Sequence, residues 1–137
     1  MNKPLTLLIA DRNPHVREFL KREMMAEAYL VLLVKSGREI IEQLQHANAL
    51  PDMLILDPDL PDVNDQSLLH QIQQVAPALP IVIHTLQTEL IDQFHNIESI
   101  ILIEKKGSSI DHLKLAVKEL ADIRGKNYES GKNSVSR

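Results

Sequence analysis

Residues 54–62 read LILDPDLPD: three apolar residues run into Asp57, and Asp59 and Asp62 follow within five positions. The run has the length and character of a buried strand that stops at an acid. Outward from it, similar runs recur as LTLLIA (5–10), YLVLLV (29–34), MLILD (53–57), PIVIHT (80–85) and IILIE (100–104). They alternate little between apolar and polar residues, so both faces of each are expected to be buried, as in a parallel sheet covered by helices.

Helix-period segments lie between these runs. PHVREFLKREMMAEA (14–28) opens with Pro14, which suits a first turn, and sets Val16, Phe19, Leu20 and Met24 along one stripe. SGREIIEQLQHA (36–47) opens with Ser36 and Glu39 in capping-box spacing. NDQSLLHQIQQVA (64–76) carries Leu68, Leu69, Ile72 and Val75, TELIDQFHN (88–96) is shorter, and SSIDHLKLAVKELADIR (108–124) carries Leu113, Val117 and Leu120. Five repeats of strand then helix, joined by right-handed crossovers, predict a three-layer α/β sandwich over residues 1–122. The remainder, 123–137, is rich in Gly, Ser, Asn and Lys and is expected to be a polar flexible tail or a truncated linker.

Composition narrows the function. The 137 residues make one domain's worth of chain, and a formal net charge of −4 gives no electrostatic case for direct nucleic-acid binding. No apolar run approaches the roughly 20 residues needed to cross a bilayer, and the N-terminal stretch is too short for a signal-peptide core. Without cysteine there is no disulfide framework, no thiolate nucleophile and no cysteine zinc site, and a cytoplasmic location is the default expectation. The six histidines have no zinc-binding spacing; His84 is expected to be a hydrogen-bonded core residue. The four glycines form no phosphate-cradling or dinucleotide loop, and no serine-hydrolase elbow occurs.

Sites in open parallel α/β sheets form outside the carboxyl ends of the strands. Here those ends carry Asp11 with Arg12, Lys35 with Ser36, Asp57, Thr85, and Glu104 with Lys105. Each position alone has an ordinary structural explanation, since turns begin there and Asp caps helices well. Together, two carboxylates, a lysine and a hydroxyl on one edge suit a hard cation such as Mg²⁺ and a phosphoryl group.

These residues resemble the receiver domain of two-component response regulators over about residues 5–122. LLIADRNPHVREFL is similar to that family's first strand, acidic loop and first helix, LILDPDLPD to its phosphoacceptor turn, IVIHT to the strand ending in a switch hydroxyl, and LIEKK to the strand ending in lysine. The resemblance implies a flavodoxin-like (βα)5 fold with a parallel five-stranded sheet of order 2-1-3-4-5. It implies that Asp57 accepts a phosphoryl group in a phosphorelay from a sensor histidine kinase or phosphotransfer protein, so that the protein is a regulatory phosphoacceptor rather than a true enzyme. Lys105 and Thr85 would hold that group, and Mg²⁺ would bind Asp11, Asp57 and the backbone carbonyl of Asp59. Asp62 would serve as charge near a helix N-terminus, in the turn toward the third helix. The output would be altered contact with a downstream protein target around the helix at 88–96, the strand at 100–104 and the helix at 108–124, a phosphorylation-dependent homodimer being usual for the family.

Four positions depart from the pattern. Arg12 stands where a second acid usually binds the metal, so Mg²⁺ is expected to be weak or absent; Arg12 can fork onto Asp57 or an incoming phosphoryl group, or swing into solvent, and the sequence leaves these open. Leu86 follows Thr85 where a small residue is usual. Leu102 replaces a common aromatic and is expected to pack in the core, removing the usual toggle. Lys106 replaces a proline, so a trans bond with Gly107 supplying the turn is expected. Two other classes fit the same fold: a pseudo-receiver, a constitutive interaction module that is not phosphorylated and in which Arg12 permanently occupies the metal's place, and a flavodoxin-type cofactor binder. Only 3% aromatic residues disfavour the last.

Overall fold

The structure, a computed structural model, describes residues 3–46, 48–63, 67–87 and 100–136, with side chains of the last helix described to Ile123. The strands are β1 (Thr6–Ala10), β2 (Leu30–Val34), β3 (Met53–Leu56), β4 (Ile81–Thr85) and β5 (Ile100–Glu104). Three helices, α1 (Pro14–Ala26), α2 (Gly37–His46) and α3 (Ser67–Val75), alternate with them, and a C-terminal helix spans Ser109–Ser136. All strand pairs are parallel, in the order β2-β1-β3-β4-β5. The helix expected over 88–96 lies outside the described residues.

Alternation of side chains across the strands divides the core in two. Leu8, Leu54, Leu56, Ile81 and Ile83 pack with Ile40 and Leu44 of α2 and with Leu68, Leu69 and Ile72 of α3. Leu7, Ile9, Met53, Ile55 and Val82 pack on the other face with Leu20 and Met24 of α1 and with Leu113 and Val117 of the C-terminal helix. The three central strands are buried almost throughout, as their unbroken apolar runs require.

The edge strand β2 departs from the expectation of two covered faces. Val31 and Leu33 join the α1 side of the core, but Leu30 and Leu32 are 54% and 42% exposed. Their face is the one α2 covers, and there only Val34 of β2 joins the core. Phe19 of the predicted α1 stripe is likewise on the rim, at 39%, with Arg22 over its ring.

Local signals explain the helix ends. Asn13 caps α1, its side chain accepting from the N–H groups of His15 and Val16, ahead of Pro14 in the first turn. The other end of α1 closes with Ala28 at φ 70°, where its N–H reaches the carbonyl of Met25 and that of Tyr29 reaches Met24. In α2 the Ser36 hydroxyl accepts from the Glu39 N–H at 3.1 Å, half of the expected capping box. The C-terminal helix runs on through the segment expected to be a flexible tail. Gly125 and Gly131 cost helix roughly 1 kcal/mol each, but no proline interrupts the segment and its docked first turns supply the nucleus.

Candidate functional site

The hydrogen-bond ladder continues past the strand ends and carries the polar residues with it. Asp11 N–H donates to the carbonyl of Val34, Asp57 N–H to Ala10, and Lys105 N–H to Thr85. Three of the four strand-end groups thereby meet. Lys105 Nζ lies 2.7 Å from Asp11 Oδ2 and 2.5 Å from Asp57 Oδ2, with the carboxylates 2% and 8% exposed and the lysine 16%. Two buried carboxylates this close need a cation, and the ammonium supplies it. Burial pulls the Lys105 pKa down, but hydrogen bonds to Asp11 and Asp57 outweigh it and hold the group above its ordinary 10.5. The remaining carboxylate oxygens take backbone donors: Asp11 Oδ1 accepts from Asn13 N–H and Asp57 Oδ1 from Asp59 N–H, both at 2.9 Å.

Thr85 lies at the end of β4, buried to 3%, and its hydroxyl accepts from the Gln87 N–H at 3.0 Å. Leu86 beyond it is 73% exposed and lines, with Val16, Phe19, Leu20, His84 and Ile110, an open and largely apolar groove of about 350 Å³ next to Lys105. Leu102 packs against the core on the α2/α3 face, as expected of a residue with no polar tip. The Lys105–Lys106 bond is trans, yet Gly107 has no left-handed φ and open space where a Cβ would be, so the turn does not demand glycine.

Arg12 takes a course outside both alternatives left open by the sequence. Its Nε donates to the backbone carbonyl of Asp59 at 3.0 Å, and its Nη2 lies 3.6 Å from the Asp59 carboxylate. The three acids of LILDPDLPD thus have separate fates: Asp57 is buried against Lys105, Asp59 pairs with Arg12 at the surface, and Asp62 is a cap. The Asp62 carboxylate accepts from Gly37 N–H at 2.8 Å and Arg38 N–H at 3.0 Å, which hold its pKa below the usual range. The helix it serves is α2, not the third helix toward which its own turn leads. Gly37 leaves room for this approach, since a Cβ there would meet Val63 Cγ2 at 3.0 Å.

The donor set does not fit a divalent cation as it stands. Mg²⁺ takes near-ideal octahedral oxygen coordination at about 2.0–2.1 Å. Here both carboxylates are committed to Lys105, the Asp59 carbonyl carries a guanidinium, and no group of three or more His, Cys, Asp or Glu among the described residues could hold a metal ion. Lys105 is the cation that lies against Asp11 and Asp57, while Arg12 is paired with Asp59.

Some of the surroundings were not singled out from the sequence. Arg17 Nη1 donates to the Asp11 carbonyl at 2.7 Å and steadies the acidic turn. Asn13 both caps α1 and donates its own N–H to Asp11; the Asn-Pro pair ahead of an apolar helical stripe was the available signal. His84 is a hydrogen-bonded core residue, as expected, with Nε2 3.0 Å from Ser109 Oγ. Its Nδ1 has no hydrogen-bond partner among the described residues. Burial first, then the charge of Lys105, lowers its pKa to about 4 against an opposing effect of Asp11.

A doubly wound parallel sheet with an acid-and-lysine centre at its carboxyl edge defines the class. The sequence matches the response regulator receiver domain over residues 7–118, and the chain belongs to that family. It is 30% identical over 82 residues to the response regulator MprA of Mycolicibacterium vanbaalenii, covering 60% of this chain and 35% of that protein. It is also 30% identical over 84 residues to the transcriptional regulatory protein GlrR of Escherichia coli, covering 61% and 18%. The matched regions are about a third or less of these relatives. The fold is shared with a response regulator receiver protein from Sinorhizobium medicae, at TM-score 0.76 and 22% identity, over 89% of this chain and 98% of that one. It is shared too with the response regulator TrrA of Thermotoga maritima, solved in complex with Mg(2+)-BeF, at TM-score 0.72 and 24% identity, over 85% and 98%. No helix among the described residues is long and apolar enough to cross a membrane.

Proposed function

We propose that this receiver domain is a phosphoacceptor in two-component phosphorelay signalling, with Asp57 receiving the phosphoryl group from a sensor histidine kinase or phosphotransfer protein. The observation that carries this reading is the buried Asp57 carboxylate, at the end of the central strand β3, with Lys105 Nζ 2.5 Å away. A carboxylate oxygen of Asp57 forms a bond to phosphorus as the phosphorus–nitrogen bond of the donor phosphohistidine breaks. The electron pair leaves with the imidazole. Such transfer asks the protein for positioning and for charge neutralisation on the phosphoryl oxygens. Lys105 provides a buried cation that can follow the charge from the carboxylate to the phosphoryl group. The Thr85 hydroxyl, which accepts from Gln87, keeps its own proton to donate to a phosphoryl oxygen.

Signalling would follow as altered contact with a downstream protein target, including a second copy of the chain. Intact mass after incubation with acetyl phosphate tests the reading. One phosphoryl group is expected on the parent and none on Asp57→Asn; a parent that stays unmodified, with its kinase as well, would overturn it. That result would favour the second reading, an interaction module that is never phosphorylated, which the guanidinium on the Asp59 carbonyl supports.

A further inference from the structure

Arg12 follows one of the two buried carboxylates and yet bonds to neither. It instead covers the Asp59 carbonyl, two residues beyond Asp57, and remains 51% exposed. The loop after β1 and the loop after β3 are thus joined at the surface by a positive group. A metal bound between those loops through the Asp59 carbonyl, as the resemblance implies, would meet the Arg12 guanidinium beside it. All four oxygens of Asp11 and Asp57 already accept hydrogen bonds or an ammonium. One ammonium already faces two carboxylates here, and a phosphoryl group on Asp57 arrives with added negative charge. At that moment the centre needs a cation with two donors at phosphoryl-oxygen spacing, which is what a guanidinium presents.

We propose that Arg12 is the resident second cation of this centre, in the place of a divalent metal, and that Arg12 and Lys105 together neutralise the phosphoryl group on Asp57 without Mg²⁺. This rests on the phosphoacceptor reading of Asp57. With acetyl phosphate as donor, the Asp57 carboxylate forms the new oxygen–phosphorus bond and the phosphorus–oxygen bond to the acetyl group breaks. Acetate departs with the electron pair, the total charge is unchanged, and no proton, metal or redox partner is consumed. Arg12 gives up little to swing inward, because its present partners are a surface carbonyl and an exposed carboxylate.

The test pairs two measurements on the full chain, as parent, Arg12→Asp and Arg12→Gln, each checked for folding by thermal melting. Calorimetric titration with Mg²⁺ alone is expected to show no saturable binding to the parent up to millimolar concentrations and clear binding to Arg12→Asp. Intact mass after acetyl phosphate is expected to show the same rate of adduct formation for the parent with Mg²⁺ or with a chelator. Arg12→Gln should slow by about tenfold in chelator, and Arg12→Asp should become dependent on Mg²⁺. Saturable Mg²⁺ binding by the parent, or a parent adduct that forms only with Mg²⁺, would overturn the inference. Failure of every protein to form an adduct, with acetyl phosphate and with its kinase as well, would instead overturn the phosphoacceptor reading and the phosphoryl half of this inference. The titration, which uses no phosphodonor, would still decide whether Arg12 stands in the metal's place.

Discussion

Lys105 is shut between Asp11 and Asp57 with 16% of its side chain exposed, whereas Arg12, next in sequence to Asp11, keeps 51% exposed and, among the described residues, holds only Asp59. Both bring one positive charge to the same edge of the sheet. Burial separates what they do. The ammonium is a structural necessity, since removing it would leave two carboxylates in a low-dielectric pocket. The guanidinium interacts in water, where an exposed pair contributes little to stability, and it is free to be spent on function.

The largest effect on stability is expected from Lys105→Met. Breaking a buried ion pair from one side costs about 3–5 kcal/mol, read as a lower urea midpoint. In the parent, the raised Lys105 pKa means its contribution is complete below pH 10.5 and is lost as pH rises through the folded value. A Lys105→Met variant as stable as the parent at neutral pH would erase the contrast between the two cations.

Next comes His84, whose neighbour Lys105 helps to keep it neutral. Its folded pKa of about 4 lies below the ordinary 6.5, so between those values the unfolded chain binds more protons. Stability attributable to it is complete above pH 6.5 and falls as pH drops toward 4, by up to about 3 kcal/mol. Comparing the pH dependence of unfolding in the parent and His84→Leu isolates this contribution; identical slopes across that window would refute it.

Asp62→Ala is expected to cost about 1 kcal/mol through the lost cap of α2, measured by denaturation above pH 5. Arg12→Ala should change stability least, by under about 0.5 kcal/mol. A larger loss at Arg12 would mean that its bond to the Asp59 carbonyl is part of the fold's support.

The sequence was most legible where one physical signal acts alone. Unbroken apolar runs placed all five strands to within a few residues, and in the three central ones burial on both faces is what leaves no room for polar alternation. Reading the residue after each run brought Asp11, Asp57 and Lys105 onto one edge, and the ladder bonds beyond the strands show why that works. Legibility failed where long side chains choose among neighbours distant in sequence. Arg12 reaches a carbonyl 47 positions away, and no local pattern encodes that choice. Asp62 was read as helix-end charge, but its helix begins 25 residues earlier. Apolar content alone likewise hid the exposure of Leu30 and Leu32, since an edge strand can be as apolar as a central one while its covering helix stops short.

The two bonds from Asp62 also close the chain from residue 37 to residue 62 into a ring that contains all of α2 and β3. Closing such a ring costs entropy that grows only logarithmically with its length, so a pair of charge-assisted bonds is a fitting clasp. The loop bearing Asp57 and Asp59 is therefore not a flap hinged at one end. Its far side is moored five residues on from Asp57, and a displacement that starts at that carboxylate meets the mooring before it can dissipate. The first element to feel it would be the amino end of α2.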